Sequence, residues 1–473
     1  MKSTNGEHIR HRQLSFWDYL PRDTAEREEY AGVWSSPRME ETDSTNVAKE
    51  QEDLLEQILD RTNMLAAIKQ VRKNKGSAGI DGMTVYELDG WYTEHGEELR
   101  QRFQDGKYRP QAVKRVEIPK GNGKTRKLGI PTVVDRVIQQ AISQVLTPIY
   151  EEQFSDKSYG FRPKRSAHQA LRQCQEYITE GYRWVVDLDL EKFFDTVNQS
   201  KLVQLLSNTL SDGRVISLIH KYLRAGVMVN GMFETSEEGV PQGGPLSPLL
   251  GNIMLNESDH ELERRGHRFV RYADDMLIFC KSRKAAERVL KSITKFLEEK
   301  LFLKVNREKT KVAYVSSSDV KFLGYGFYIG KEGKGDLRVH PASWKKLKLK
   351  LRLLTARSNG MGGEKRRDKI NQLIRGWVNY FQLAKMATKL KEIDAWLRRR
   401  LRMVIWKRWK RVRTRYENLK RTALDNESCW ILANTRNKYW YVAGSPWMHI
   451  AIPNIYFKKA GYLTLTDYFA QST

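Results

Sequence analysis

Cysteine is scarce in this sequence, and its three thiols are far apart. The 473 residues contain only Cys174, Cys280 and Cys429. This sparse set excludes a disulfide framework and a cysteine-based zinc site, so we expect reduced thiols. Long apolar runs are also missing: no stretch approaches the roughly 20 residues that a membrane-spanning helix requires, and residues 1–12 are polar, unlike a signal peptide. These absences predict a cytoplasmic protein without membrane spans.

Acidic residues are too few to balance the basic ones. The chain has 57 Asp and Glu against 83 Lys and Arg, which gives a formal net charge of +26. Uncompensated cations bind polyanions by displacing counterions from phosphates, so the expected partner is nucleic acid or an acidic membrane surface. The length predicts two or more domains, each with enough residues for a core.

Two apolar runs meet at a pair of adjacent carboxylates, Asp274 and Asp275. Aromatic and β-branched residues of 269–279 flank the pair, which predicts two strands joined by a turn at Ala273-Asp274-Asp275. Two like charges held this close repel each other unless a divalent cation lies between them. We interpret the pair as a metal site. A solvated Asp-Asp turn is the alternative, because such turns are common.

A second acidic strand lies at 184–190, where Asp187 and Asp189 interrupt an apolar run at alternate positions. Alternation places both carboxylates on one face of the strand, and an unpaired buried carboxylate is costly. Metal coordination is therefore favoured over a structural ion pair. Periodicity does not choose between the two acids. The following Phe193 and Phe194 line a pocket or pack in the core.

Two further segments predict contacts with a nucleotide. Residues 116–131 form two strand-like runs joined by Gly121-Asn122-Gly123, with Lys120 and Arg126 near the tip, where both charges can reach a triphosphate. The alternative is a solvated basic loop. The Gly- and Pro-rich segment 239–248 allows close approach of the backbone to a ligand, and Gln242 is its candidate contact. An ordinary turn is the alternative there.

The chain becomes helical and strongly basic after about residue 341. Between Lys389 and Arg421 there are 14 basic and 3 acidic residues. Apolar residues recur there every three or four positions, including Leu397, Leu401 and Trp409, which predicts an apolar stripe on a basic helix. This one-sided charge favours a nucleic-acid surface over a solvated face. The candidate contacts are Arg398, Arg399, Arg402, Arg408, Arg411 and Arg415.

The order strand, helix, hairpin, helix, strand over 184–328 predicts an α+β fold with a ferredoxin-like sheet. In order and spacing, the strand with Asp189, the loop Pro241-Gln242-Gly243-Gly244 and the hairpin Tyr272-Ala273-Asp274-Asp275 resemble the core motifs of reverse transcriptases. The chain is more narrowly similar to bacterial group II intron reverse transcriptases, also called maturases. That similarity extends over about residues 55–425 and includes Gly79-Ile80-Asp81-Gly82, Ile118-Pro119-Lys120, Leu128-Gly129-Ile130-Pro131, Tyr159-Gly160-Phe161-Arg162-Pro163, Phe322-Leu323-Gly324-Tyr325 and Arg375-Gly376-Trp377-Val378-Asn379-Tyr380-Phe381.

The resemblance implies a right-hand polymerase with fingers, palm and an all-α thumb. It selects Asp189, with Asp274 and Asp275, as catalytic residues that hold two Mg²⁺ ions, and Leu190 as a further metal ligand. It also implies that Lys120, Arg126 and Gln242 bind the incoming nucleotide and that Phe194 excludes ribonucleotides. The implied partners are intron RNA, a DNA primer or target and dNTPs. The implied domains are a tail (1–50), a helical extension (51–115), fingers and palm (116–335), the thumb or maturase domain (336–425) and a C-terminal tail (426–473), a possible DNA-binding remnant.

Two other functions stay open at this point. One is a domesticated reverse transcriptase in phage defence, and the other is an RNA-binding splicing factor with a dispensable polymerase. After Arg421 only Cys429 and His449 could serve a Cys/His-rich nuclease, so we expect that the nuclease domain of many family members is absent.

Overall fold

The structure, a computed structural model, describes residues 53–120 and 124–472, without the side chains of Lys120 and Lys124. The predicted tail (1–50) and the Gly-Asn-Gly turn lie outside the described residues. The chain forms two compact units. The first contains the chain up to Tyr177 together with Tyr182–Ala313, and the second contains Ile178–Gly181 and Tyr314–Thr473.

Polar side chains cap several helices of the first unit. The Asp60 carboxylate accepts the amide hydrogens of Thr62 and Asn63, and the Thr132 hydroxyl accepts that of Asp135, which satisfies donors that a helix start leaves open. The helices up to the second unit are α1 (Leu54–Leu59), α2 (Arg61–Asn74), α3 (Leu88–Gln104), α4 (Val133–Glu151), α5 (Ala167–Thr179), α6 (Phe193–Thr196), α7 (Gln199–Thr209), α8 (Gly213–Leu223), α9 (Ser247–Arg264) and α10 (Arg283–Lys300).

The predicted basic hairpin is present as β1 (Val113–Lys120) and β2 (Lys124–Ile130). The two strands pair antiparallel, with Ile118 opposite Arg126. Two short strands, β4 (Val227–Val229) and β5 (Met232–Glu234), extend this sheet in the order β2-β1-β4-β5.

A second four-stranded sheet carries the acidic segments. It contains β3 (Trp184–Leu188), β6 (Arg268–Tyr272), β7 (Asp275–Cys280) and β8 (Lys311–Tyr314) in the order β6-β7-β3-β8. Helix α10 packs on β3 and β7, and α9 packs on β6. This strand order is that of a ferredoxin-like sheet, so the predicted α+β class and palm are confirmed.

The second unit is mostly helical. Its hairpin of β9 (Tyr325–Ile329) and β10 (Gly335–Val339) precedes nine described helices: α11 (Pro341–Leu354), α12 (Gly363–Phe381), α13 (Ala387–Arg408), α14 (Val412–Leu419), α15 (Asn426–Asn434), α16 (Tyr439–Val442), α17 (Pro446–Ala451), α18 (Asn454–Lys459) and α19 (Leu465–Ser472). None of the helices in the described part of the chain is long and apolar enough to cross a membrane.

The basic helix differs from the prediction in two respects. The predicted continuous stripe is broken, because α13 ends at Arg408 and α14 starts at Val412. Trp406, rather than Trp409, is the fully buried tryptophan. The segment after residue 425 also folds onto α13: the buried Asp394 carboxylate accepts the backbone amides of Leu465 and Thr466 at 2.9 Å, which ties α19 to α13.

Candidate active site

The palm sheet brings the three predicted catalytic acids to one edge. The last backbone pair of β3 and β7 is Leu188 with Met276, so the next position along places Asp189 beside Asp275. Directly opposed residues of neighbouring strands point to the same face of a sheet. Asp274 occupies the turn between β6 and β7, where Tyr272 pairs with Asp275. The hairpin predicted from the sequence is therefore present, with both of its acids next to the end of β3.

Asp189 is held through both its backbone and its side chain. Its backbone N–H donates to the Thr310 hydroxyl, and its carbonyl accepts the amide of Asn306. The Lys309 ammonium lies 2.9 and 3.2 Å from the two carboxylate oxygens. Lys309 was not predictable from the sequence, because a lysine 120 positions away from Asp189 gives no local signal. Leu190, the other predicted ligand, has a buried hydrocarbon side chain and forms an isolated bridge with Val305, so its backbone carbonyl is the only oxygen it can offer.

Asp187 lies inside β3, opposite Leu277, and away from the hairpin turn. The pKa of Asp187 is raised to about 6: burial raises it most, the charge of Lys311 opposes that shift, and the charge of Asp189 adds to it. Lys311 Nζ lies 4.0 Å from the carboxylate. This position favours Asp189 over Asp187 as the ligand beside Asp274 and Asp275.

The donor set suits a hard divalent cation, because carboxylate oxygens are the ligands that Mg²⁺ prefers. In the described part of the chain, no three Asp, Glu, His or Cys side chains converge closely enough to hold a metal ion. Instead, Asp189 neutralises a cationic group, the Lys309 ammonium. The three acids therefore supply the ligand type that a hard divalent cation takes, but in this structure they are not gathered around a common centre.

The predicted nucleotide contacts Arg126 and Gln242 meet directly. The Arg126 Nε–H donates to Gln242 Oε1 at 3.0 Å, and the Gly129 amide donates to the Gln242 carbonyl at 2.7 Å. The loop can approach β2 this closely because residue 243 is glycine: its φ is +118°, and a Cβ there would lie 2.5 Å from the Gly129 oxygen. The Lys120 side chain lies outside the described residues, although its backbone pairs with Lys124 at the tip of the hairpin.

Phe194 is linked to the same loop. Its carbonyl accepts the Val240 amide at 2.6 Å, two residues before Gln242. Its ring meets Phe193 edge-on, with 5.0 Å between centroids. Phe193 is buried in the core and Phe194 is only partly buried. Of the two aromatic residues that the sequence left open, Phe194 is therefore the one with a face available to a ligand.

Comparison with known proteins identifies the family. Residues 118–327 match the model of the reverse transcriptase (RNA-dependent DNA polymerase) family, and residues 344–423 match the group II intron maturase-specific domain. Protein YkfC of Escherichia coli is 35% identical over 312 residues, which are 58% of this chain and 82% of YkfC. The chain belongs to the family of group II intron reverse transcriptases. The resemblance seen in the sequence motifs is thus confirmed.

Other relatives of this reverse transcriptase are intron-encoded. The group II intron-encoded protein LtrA of Lactococcus lactis is 32% identical over 332 residues, and a putative COX1/OXI3 intron 2 protein of Saccharomyces cerevisiae is 29% identical over the same length. These matches cover 56% and 58% of this chain. They cover only 55% of LtrA and 38% of the yeast protein.

The maturase-specific domain contains the six predicted RNA-contacting arginines, and the structure separates them. The prediction for Arg402 is wrong: its side chain is buried, 3% exposed, with Nε donating to the Ile452 carbonyl at 2.8 Å and Nη2 to Asn454 Oδ1 at 2.9 Å. Periodicity placed it off the apolar stripe, but the C-terminal segment covers that face of α13.

The remaining five arginines also differ among themselves. Arg399 donates to the Trp440 carbonyl and lies over the Trp440 ring at 4.3 Å. Arg415 donates to the Trp409 carbonyl at 3.0 Å and lies over the Trp406 ring. Arg398 is partly buried, whereas Arg408 and Arg411 are exposed. Arg408 and Arg411 are thus the two members of the set most open to a phosphate.

Proposed function

We propose that this reverse transcriptase is an RNA-directed DNA polymerase that adds dNTPs to a DNA primer on an RNA template. It also binds its intron RNA as a maturase and thereby assists splicing and mobility. The observation that carries the polymerase proposal is the backbone register that sets Asp189 beside Asp275 and the Asp274 turn. The maturase proposal is supported by the matching domain at 344–423 and the positive charge of the chain.

Asp189, Asp274 and Asp275 would hold the catalytic metal, proposed as two Mg²⁺ ions, with Leu190 offering a backbone oxygen. When bound, such ions lower the pKa of the primer 3′-hydroxyl and neutralise the charge of the leaving pyrophosphate. The chain's own residues orient the reactants. Arg126 offers a planar cation suited to phosphate oxygens. Gln242, on the Gly- and Pro-rich loop, holds the Arg126 guanidinium by accepting its Nε hydrogen bond.

Phe194 is the proposed barrier to ribonucleotides. Its ring is braced by Phe193, and Gly251 lies directly beneath both: a Cβ at Gly251 would be 3.2 Å from each ring. A ring fixed in this way cannot move aside at low cost to admit a 2′-hydroxyl.

The test is extension of a DNA primer annealed to an RNA template by the purified full chain. We expect synthesis that stops when the divalent cation is chelated and resumes when Mg²⁺ is restored. Binding and splicing of the RNA encoded around this reading frame are measured in parallel. A chain that binds that RNA but extends no primer at any Mg²⁺ concentration would contradict the polymerase proposal, and extension without RNA binding would contradict the maturase proposal.

A further inference from the structure

Arg271, the last residue but one of β6, is a charged residue inside the palm core. Its side chain and that of Asp259 on α9 are both 0% exposed. Arg271 Nε lies 2.8 and 2.9 Å from the two Asp259 oxygens, and Nη2 lies 2.5 Å from Oδ2. This pair is fully removed from solvent. Buried ion pairs of this kind contribute little net stability, since desolvation offsets their attraction, so the pair calls for another explanation.

The remaining guanidinium nitrogen reaches the catalytic hairpin. Arg271 Nη1 donates to the Ala273 carbonyl at 3.0 Å and to Asn252 Oδ1 at 2.9 Å. Ala273 is the first residue of the turn that carries Asp274, and its φ is +57°, a left-handed conformation that alanine rarely adopts. Such a conformation persists only where the surroundings fix it. The buried Arg271 guanidinium fixes it here through its hydrogen bond to the Ala273 carbonyl.

The same network fixes the turn from a second side. Asn252 Nδ2 donates to the Gly160 carbonyl at 2.8 Å, and Gly160 lies so close to the turn that a Cβ there would be 2.3 Å from the Ala273 nitrogen. The backbone of Arg271 is itself bonded on both sides, to the Lys157 carbonyl and the Tyr159 amide, each at 2.9 Å. The turn is therefore held between the guanidinium and the 157–160 segment.

We propose that Arg271 is a positioning residue for the metal site: it holds the Ala273 carbonyl so that Asp274 and Asp275 present their carboxylates in a binding-ready orientation. This inference rests on the proposed metal role of those two acids. Arginine suits the task because one planar fork bonds Asp259, Asn252 and Ala273 at once. A lysine ammonium keeps the charge and can pair with Asp259, but it cannot span all three partners.

The test compares Arg271→Lys with Arg136→Lys. Arg136 is also buried in the first unit, where it donates to the Ser77 carbonyl rather than to the β6–β7 hairpin. Binding of Mn²⁺ to the full chain, with an RNA template and a primer lacking its 3′-hydroxyl, is followed by electron paramagnetic resonance. We expect Arg271→Lys to weaken Mn²⁺ binding by about 10- to 100-fold, as loss of a group supporting metal ligands does. Primer–template affinity should match that of Arg136→Lys, and hydrogen exchange of the 270–277 backbone should accelerate only in Arg271→Lys.

Asp274→Asn separates failure of this inference from failure of the proposed function. If Asp274→Asn binds Mn²⁺ as the wild type does, the proposed metal site is wrong. If Asp274→Asn loses Mn²⁺ but Arg271→Lys keeps wild-type affinity and hydrogen exchange, the metal site is right and the positioning role is wrong. Should Arg271→Lys not fold, Asn252→Ala removes one arm of the network and leaves the ion pair intact, and it should weaken Mn²⁺ binding. Failure of both variants to fold would overturn the proposal, because the network would then serve the core.

Discussion

Neutralising two different sets of thumb arginines should separate phosphate contacts from structural cations. Arg408 and Arg411 are exposed, and Arg402 is buried beneath the C-terminal segment. Each cation that truly contacts a phosphate contributes about 0.7 to 0.9 to the slope of log affinity against log salt concentration. The double variant Arg408→Ala with Arg411→Ala should therefore flatten the slope by about 1.4 to 1.8. Its thermal midpoint should stay close to that of the wild type, since surface changes cost little.

Arg402→Ala should show the opposite behaviour. Its removal deletes the hydrogen bonds to the Ile452 carbonyl and the Asn454 side chain, and it removes a guanidinium that lies 5.6 Å from the Phe457 ring centroid. Loss of the charged donor from the buried Ile452 carbonyl, together with the packing of the guanidinium, costs about 2 to 3 kcal/mol of unfolding free energy. For a unit of this size, that cost corresponds to a fall of roughly 4 to 12 °C in the thermal midpoint. The salt slope should not change.

The assay is fluorescence anisotropy of labelled intron RNA titrated with each variant across a range of KCl concentrations, with thermal unfolding measured on the same preparations. A flatter salt slope for Arg402→Ala with an unchanged thermal midpoint would show that Arg402 contacts RNA and is not a structural cation. A wild-type slope for the double variant would show that the RNA binds elsewhere on the chain.

Three further predictions concern the palm and its loop. Phe194→Ala should allow incorporation of ribonucleotides, seen as a fall in the dNTP-to-rNTP preference in single-nucleotide addition; an unchanged preference would make Phe194 an ordinary packing residue. Gly243→Ala should raise the KM for dNTPs more than it lowers kcat, because its Cβ would force the loop away from the Gly129 oxygen; a wild-type KM would show that the loop does not shape the nucleotide pocket. Asp187 has a folded-state pKa of about 6 against an ordinary value of 3.8, so its contribution to stability is fully present below about pH 4 and is lost as the pH rises through 6. In buffer without divalent cations, Asp187→Asn should accordingly increase the unfolding free energy at pH 7.5 by at most about 3 kcal/mol, seen as a higher thermal midpoint, and it should have a smaller effect at pH 5. An equal effect at both pH values would contradict the shifted pKa.

Local patterns predicted the parts of the site that depend on strand alternation and turn residues. Asp189, Asp274 and Asp275 lie in short segments whose strand character is visible in the sequence, and the basic hairpin with Arg126 is equally local. The family motifs then supplied their order. Residues that act across long sequence separations were not predictable in this way. Lys309 pairs with Asp189 over 120 positions, and the sequence around neither residue indicates that contact.

The basic helix shows a different limit. Its periodicity correctly indicated a buried stripe with Leu397 and Leu401, but periodicity in one helix does not reveal which further segments pack against it. The chain after residue 425 covers a second face of α13 and buries Arg402 there. Trp406 lies inside α13 and is buried, whereas Trp409 comes just after the end of that helix at Arg408 and is only partly buried.

The most direct test of the account is single-turnover extension of a DNA primer on an RNA template by the wild type and by Asp274→Asn, with RNA affinity measured on the same samples. Asn is nearly isosteric with Asp but lacks the negative charge that a hard cation requires. The account predicts that Asp274→Asn abolishes extension and leaves RNA affinity and splicing assistance nearly unchanged. Extension at the wild-type rate would contradict the assignment of the hairpin acids to metal-dependent catalysis.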